Sequence, residues 1–255
     1  DIAQPDTIKD LLQECDVIIH TAALVSNAMQ DSDMWRVNVL ATRNLIEAAK
    51  EHKVRRFVQI SSVVAYGNSA EGELEENHPV HADGGSYVLT KLASEHVVLG
   101  AQANDSIEVV ILRPGDAYGP GSRPWVIAPL EAIAKNQFML PAKGEGFFRP
   151  IYIDDLVRGI VMATSHPDAA GEIFNISCEG YMPAKEYFAP HYQWLGKKGP
   201  MLVSTKLALR VSAIASKVAD LMGNLNEASP STVRQLSTRS WFSIKKACLL
   251  YTSPS

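Results

Sequence analysis

The sequence predicts an α/β protein, a doubly wound parallel sheet with a smaller lobe folded onto it, and three observations carry that prediction. Short β-branched runs alternate with longer stretches of helical periodicity, the pattern of βαβ units. The β-branched runs are near-continuously apolar, as expected of strands covered on both faces. After Arg113 the alternation loosens, with no internal repeat and no low-complexity linker, so the second half reads as a lobe on the first rather than an independent module.

In chain order, "DVIIH" (16–20) is the first strand. "DMWRVNVLATRNLIEAAKEHK" (33–53) is a helix, with Val37, Leu40, Ala41, Leu45 and Ala48 recurring on one face. "RFVQIS" (56–61) is the second strand, and "SYVLTKLASEHVVLGAQA" (86–103) a second helix through Leu89, Ala93, His96 and Val97. "EVVILR" (108–113) is the third strand. "PGDAYGPGSRP" must be a loop, and a helix over 126–134 follows. "FRPIYIDDLVRGIVMATSHP" reads as a short strand and a helix capped by Asp154 or Asp155. "GEIFNIS" (171–177) is one more strand. Residues 204–222 set Leu207, Val211, Ile214, Val218 and Leu221 in an apolar seam, expected to pack on the small lobe; the alternative is an interfacial helix beside a membrane or a lipophilic substrate.

The expected domains are 1–120, a partial ligand-binding sheet, and 121–247, mainly a substrate lobe with segments returning to the core. Residues 248–255 are expected to be a non-native tail, because "ACLLYTSPS" reads as neither a helix continuation nor a designed end. With no initiator methionine before Asp1, the chain reads as a fragment.

A net charge of −4 and no block of like charges give no field that would collect a polyanion, so nucleic acid is not an expected partner. No apolar run approaches the length of a bilayer span and the N-terminus does not read as a signal peptide, which sets the expectation of a cytoplasmic protein. Cys15, Cys178 and Cys248 lie far apart and are expected as buried thiols in a reducing compartment. Asp154 and Asp155 have no partners at ligand spacing, so no metal site is expected.

In open parallel sheets ligands bind at the carboxyl ends of the strands, where this sequence offers "HTAA" (20–23), "SSVVAYG" (61–67) and "RPGDAYGPG" (113–121). His20 is expected as a packed strand-end residue. Tyr87 and Lys91 stand four apart in a helix and leave the same face. Tyr181 and Lys185 share that spacing, but Gly180 and Pro183 put them at a turn or a helix start. Only the first pair follows a strand end bearing hydroxyls, Ser61 and Ser62. Such a set suits hydride transfer at a carbinol or carbonyl carbon. A tyrosine with a reference pKa of about 10 is a poor base at neutral pH, and the Lys91 ammonium would favour its phenolate. A serine hydroxyl, from Ser61 or Ser62, would hold the substrate oxygen, and a nicotinamide would supply the redox capacity that no side chain has.

"DVIIHTAA", "NVLATRNLIEAA", "RRFVQISSVVAYG", "YVLTK", "ILRPGDAYGPG" and "RPIYIDDLVRGI" come in the order found in the extended short-chain dehydrogenase/reductase family, which the chain resembles up to about Ala247. That family includes nucleotide-sugar epimerases and dehydratases, 3β-hydroxysteroid dehydrogenases and flavonol-type reductases. The resemblance implies a Rossmann-like sheet, its first βα units missing here, with Ser62, Tyr87 and Lys91 as catalytic residues. It implies cofactor contacts from Asp1, Ile2, Ala22, Ala23, Ser61, Tyr87, Lys91 and Pro114, and a structural role for Asn38. Arg149 matches an arginine that binds substrate diphosphate in the sugar-nucleotide members; the alternative is a strand-supporting charge. The implied cofactor is NAD or NADP, with NAD favoured. One departure stands out: no G-x-x-G-x-x-G turn occurs in these 255 residues.

The implied activity is that of an NAD(P)-dependent oxidoreductase interconverting a secondary alcohol and a ketone, similar to the 3β-hydroxysteroid and flavonol-reductase branch because of "PMLVSTKLALRVSAIASKVADLMG". The alternatives are a nucleotide-sugar 4-epimerase or dehydratase and, in another class, a non-catalytic dinucleotide-sensing protein. The expected partners are a small-molecule substrate and, through the helices flanking the catalytic strand, a second copy in a homodimer.

Overall fold

Successive residues of the central strands leave in opposite directions, and both directions are apolar. Phe57, Val109 and Ile111 join Leu45, Ile46, Ala49 and Val98 in a cluster on one face. Val58, Val110 and Leu112 join Leu156, Ala163, Phe174 and Ala247 on the other. Each such side chain contributes about 1.5–3 kcal/mol on burial, so the sheet is held from both sides.

The computed structural model describes residues 1–4, 6–26, 29–103, 107–222 and 228–252. Its strands are β1 Val17–His20, β2 Arg56–Ile60, β3 Glu71–Leu74, β4 Glu108–Pro114, β5 Asp116–Tyr118, β6 Phe147–Phe148, β7 Pro150–Tyr152, β8 Ile173–Ile176, β9 Met182–Pro183 and β10 Arg239–Phe242. Four of them form one parallel sheet in the order β1-β2-β4-β8. Their carboxyl ends therefore share one edge, as the alternating pattern predicted.

The first predicted helix is three joined segments, Asp31–Trp35, a π-helical turn Arg36–Leu40 and Ala41–Glu51. The second is Ser86–Gln102. A helix at Ala128–Ala134 is preceded by a second π-helical turn, Arg123–Ile127. Tyr181 lies outside the helix Ala184–Trp194 that holds Lys185, so the second Tyr–Lys spacing is a helix start, and Lys185 pairs with Glu145. That helix, which contains Pro190, carries no clear periodic signal in the sequence.

Five expectations are corrected. The segment after β4 is not all loop, since Asp116–Tyr118 forms β5 and pairs in parallel with β7. The cysteines are not buried: Cys15 and Cys178 are half-buried and Cys248 is exposed. Tyr152, not Asp154 or Asp155, is the N-cap of Ile153–Ser165; both carboxylates sit in its first turn, where the helix dipole still favours them. Residues 248–252 do continue a helix, Lys245–Thr252, because Ala247 and Leu250 find room in the core cluster below the sheet. The seam of Thr205–Leu221 does not pack on the lobe; Leu207, Val211, Ile214, Val218 and Leu221 are all exposed.

The second half reaches back to the first in two places. β8 completes the main sheet, and β10 pairs in parallel with β3 from Glu71↔Arg239 to Leu74↔Phe242. Val63, Tyr66, Leu74 and Phe242 close over that joint. No helix among the described residues is long and apolar enough to cross a membrane.

Candidate active site

The strand ends set the site. β2 stops at Ile60 and the chain turns through Ser61 and Ser62 into the short helical turn Val63–Tyr66, where the Ser62 Oγ accepts from the Val64 amide at 3.3 Å. Ser86–Gln102 begins over this turn. Tyr87, its second residue, is half-buried beside Ser62 and hydrogen-bonds it. One turn on, Lys91 is only 4% exposed and donates from Nζ to the Ile60 carbonyl at 2.9 Å. Ser62, Tyr87 and Lys91 are thus brought together as the spacing predicted.

Their electrostatics differ from the expectation. Burial pushes the Tyr87 phenol up to about 12, with the Ser62 hydrogen bond pulling the other way. The expectation that Lys91 would bring Tyr87 toward neutrality is corrected for this state: its ammonium is aimed at a backbone carbonyl, and desolvation outweighs it. Lys91 itself is lowered to about 8 by burial, with Glu95 opposing. Tyr87 is therefore a protonated donor at neutral pH, and Lys91 is charged.

Asn38, on the π-helical turn Arg36–Leu40, ties two parts of the site together. Its Nδ2 donates to the Leu24 carbonyl (3.0 Å) and to Thr90 Oγ1 (3.1 Å), while its Oδ1 accepts from the Leu24 amide (2.7 Å). Thr90 Oγ1 in turn donates to the Tyr87 carbonyl at 3.1 Å. The loop after β1, with Ala22 exposed and Ala23 half-buried, is held against the Tyr87 helix in this way. His20 is buried, with Nε2 2.9 Å from Thr42 Oγ1. Thr42 gives its one hydroxyl hydrogen to the Asn38 carbonyl (2.8 Å), so Nε2 carries the imidazole hydrogen. Burial, then the Lys91 charge, lower His20 to about 4 and keep it neutral.

Behind the Val63–Tyr66 turn lies an ion pair with no local signal in the sequence. Arg113 donates to Glu95 from Nε (3.0 Å) and from Nη2 (2.7 Å), both residues being buried. Ser61 donates its hydroxyl to Glu95 Oε1 at 2.5 Å. The Arg113 guanidinium stacks 4.7 Å over Tyr66, whose hydroxyl donates to Asn175. No local pattern joins one arginine in an apolar strand to one glutamate four residues after Lys91. Ser61, which the resemblance implies as a cofactor contact, gives its hydroxyl hydrogen to Glu95.

Arg149 is likewise not an open substrate contact. It is buried, with Nε 3.3 Å from Asp116 Oδ2 and Nη1 donating to Thr238 Oγ1 at 2.8 Å, and its guanidinium lies 5.4 Å from the Phe242 ring centre. Its amide also donates to Asp116 Oδ2 (3.0 Å). Gly115 is needed between them, since a Cβ there would lie 2.5 Å from the Arg149 carbonyl oxygen. Pro114, the last residue of β4, is buried. Asp1 is exposed and accepts from the Ala3 amide at 2.9 Å, while Ile2 packs against the core. Among the described residues no group of three or more His, Cys, Asp or Glu is placed to hold a metal.

The sequence model described as "NAD dependent epimerase/dehydratase family" matches residues 1–177. A dTDP-glucose 4,6-dehydratase of Streptomyces niveus is 30% identical over 182 residues, 69% of this chain and 54% of that protein. A 3beta-hydroxysteroid-dehydrogenase/decarboxylase, isoform 1, of Arabidopsis thaliana is 26% identical over 255 residues, 92% of this chain and 57% of that protein. The chain thus spans about half the length of these curated relatives. Among solved structures, the UDP-glucuronic acid 4-epimerase from Bacillus cereus in complex with NAD superposes with a TM-score of 0.76 at 25% identity, covering 100% of this chain and 74% of that one.

Proposed function

The chain belongs to the NAD dependent epimerase/dehydratase family, and on that basis we propose that it works as an NAD(P)-dependent oxidoreductase, interconverting a secondary alcohol and a ketone on an apolar substrate. The observation that carries this reading is the clamp of Lys91 onto Ile60, which holds Tyr87 beside Ser62 at the carboxyl edge of the sheet.

Ser62 is assigned the substrate oxygen, to which its hydroxyl donates. Tyr87, protonated at neutral pH, gives its proton to the alkoxide that forms on reduction and recovers it in the reverse direction. Lys91 spends one of its three N–H donors on Ile60, which leaves two for the hydroxyls of a nicotinamide ribose. A bound dinucleotide supplies the hydride acceptor or donor. Tyr87 and Lys91 fit the nicotinamide half of that group, with Ala22, Ala23 and Pro114 around it and Asp1 and Ile2 assigned to adenine. The chain's own residues provide no glycine-rich cradle for the pyrophosphate.

The choice of an apolar substrate rests on Arg149, whose charge is already taken by Asp116. It is also supported by the steroid-type relative, which matches 92% of the chain where the sugar-nucleotide dehydratase matches 69%. Nucleotide-sugar epimerisation or dehydration, in which the hydride returns to the substrate, is the second reading, and the relatives of that kind favour it. A homodimer through the helices around β2 belongs to the same proposal, supported by exposed Trp35 and Leu40. So does a cytoplasmic location.

The test is incubation with oxidised dinucleotide and a panel of 3β-hydroxysteroids, flavonols and UDP- or dTDP-sugars. Net reduced nicotinamide with a ketone product supports the first reading. Sugar conversion without net reduced nicotinamide would replace it with the second, and no turnover of any class would leave the dinucleotide-sensing alternative.

A further inference from the structure

The helix Thr205–Leu221 is amphipathic in the reverse sense for an element resting on a protein body. Its small residues face inward, with Ala208 at 1% and Ser212 at 6% exposure. Its large apolar residues face out, with Ile214 at 65% and Leu221 at 88%. Leu207, Val211, Ile214, Val218 and Leu221 repeat at alternating intervals of four and three, which makes one straight stripe. At about 100° per residue, Lys206, Arg210 and Lys217 fall together along one flank of that stripe, and all three are exposed. The body of the protein occupies the other flank.

The charge distribution points the same way. In a chain of net charge −4, residues 194–222 contain five Lys or Arg against one acidic residue, Asp220. Just before the helix, Trp194 at the end of Ala184–Trp194 and Leu195, Met201 and Leu202 in the following loop are exposed, on either side of Lys197 and Lys198. An exposed apolar stripe of this kind marks an interaction surface, and its cationic edge selects an anionic occupant. A second copy is disfavoured: antiparallel pairing of two such helices about a two-fold axis sets each row of cations against itself.

We propose that residues 194–222 are a membrane-docking edge, with Thr205–Leu221 lying in the interface of an anionic lipid bilayer. The apolar stripe enters the acyl boundary, Trp194 anchors at headgroup depth, and Lys206, Arg210 and Lys217 meet lipid phosphates. Through this edge the protein lies on the membrane surface. This inference is independent of the catalytic reading.

Vesicle flotation tests it. The protein is expected to float with phosphatidylcholine vesicles containing phosphatidylserine, to be released as salt rises, and to bind phosphatidylcholine alone weakly. Each cation near such a surface is worth about a five-fold factor in partitioning, so Lys206→Glu/Arg210→Glu/Lys217→Glu should lower binding at least about ten-fold. Ile214→Ser, a change at an exposed position that leaves the circular dichroism spectrum intact, should also weaken it several-fold. Failure to float with phosphatidylserine vesicles at low salt, or flotation indifferent to both variants, overturns the proposal. So does a concentration-dependent dimer that Ile214→Ser dissolves in a protein that ignores lipid, which would assign the face to a second copy.

Discussion

Lys91 donates from Nζ to the carbonyl of Ile60 across 2.9 Å, so one ammonium both clamps the Tyr87 helix onto β2 and stands buried at the strand edge. Burial lowers it to about 8. Between that value and the unfolded reference of about 10.4, the unfolded chain holds a proton that the folded protein has released. Stability from this group therefore rises with pH through that window and is flat below it. Urea denaturation of the protein and of Lys91→Met should give a difference in stability that moves in the wild type's favour from about pH 8 to 10; a constant difference would show that Lys91 titrates normally.

Tyr87→Phe keeps the ring and removes the proton. Under the proposed chemistry turnover should fall about 10²-fold or more, with KM changed by no more than a few fold. Steady-state kinetics on any active substrate decide it, and survival of most of the turnover would remove Tyr87 from the mechanism.

The Glu95–Arg113 pair should be costly to break because both partners are buried. Glu95→Gln leaves the Arg113 guanidinium without its counter-charge and should destabilise by about 3–5 kcal/mol. Asp155→Asn, at the exposed Arg158 pair, should change stability by at most about 1 kcal/mol. Equal losses for the two would mean that the inner pair is solvated in solution.

His20 makes stability depend on pH on the acid side. The unfolded chain takes up a proton near 6.5 and the folded protein only near 4, so the contribution is present above about 6.5 and is lost as pH falls toward about 4. The full swing is about 3 kcal/mol. His20→Gln should flatten this part of the stability profile, and NMR should show the His20 imidazole unmoved at pH 5.5.

Arg149→Met separates the two readings of that residue. With Asp116 left buried and uncompensated, the variant should lose about 3–5 kcal/mol, and Asp116→Leu in the same chain should recover part of it. A variant of wild-type stability that had lost only its affinity for UDP would return Arg149 to the substrate.

Much of the architecture was legible because it follows from local periodicity. Apolar runs such as "EVVILR" and the helical spacing of Leu45 and Ala48 require no knowledge of distant partners, and parallel strands necessarily bring "HTAA", "SSVVAYG" and "RPGDAYGPG" to one edge. Tyr87 and Lys91 were legible for the same reason, since four residues of helix fix a shared face. Ser61 against Ser62 was not. Adjacent strand-end residues leave on opposite sides, and only the position of Glu95, 34 residues away, shows which hydroxyl is already engaged.

The sequence settled the order of elements, the parallel sheet and the Tyr–Lys pair, because each depends on spacing within one segment. Folding settled the fate of the charges and of the apolar seam. Arg149 meets Asp116, and Arg113 meets Glu95, across sequence separations that no local pattern spans. Periodicity gives Thr205–Leu221 its stripe, but whether a stripe faces the body or the solvent depends on what surface the rest of the chain offers it, and here Ala208 and Ser212 took the inward side.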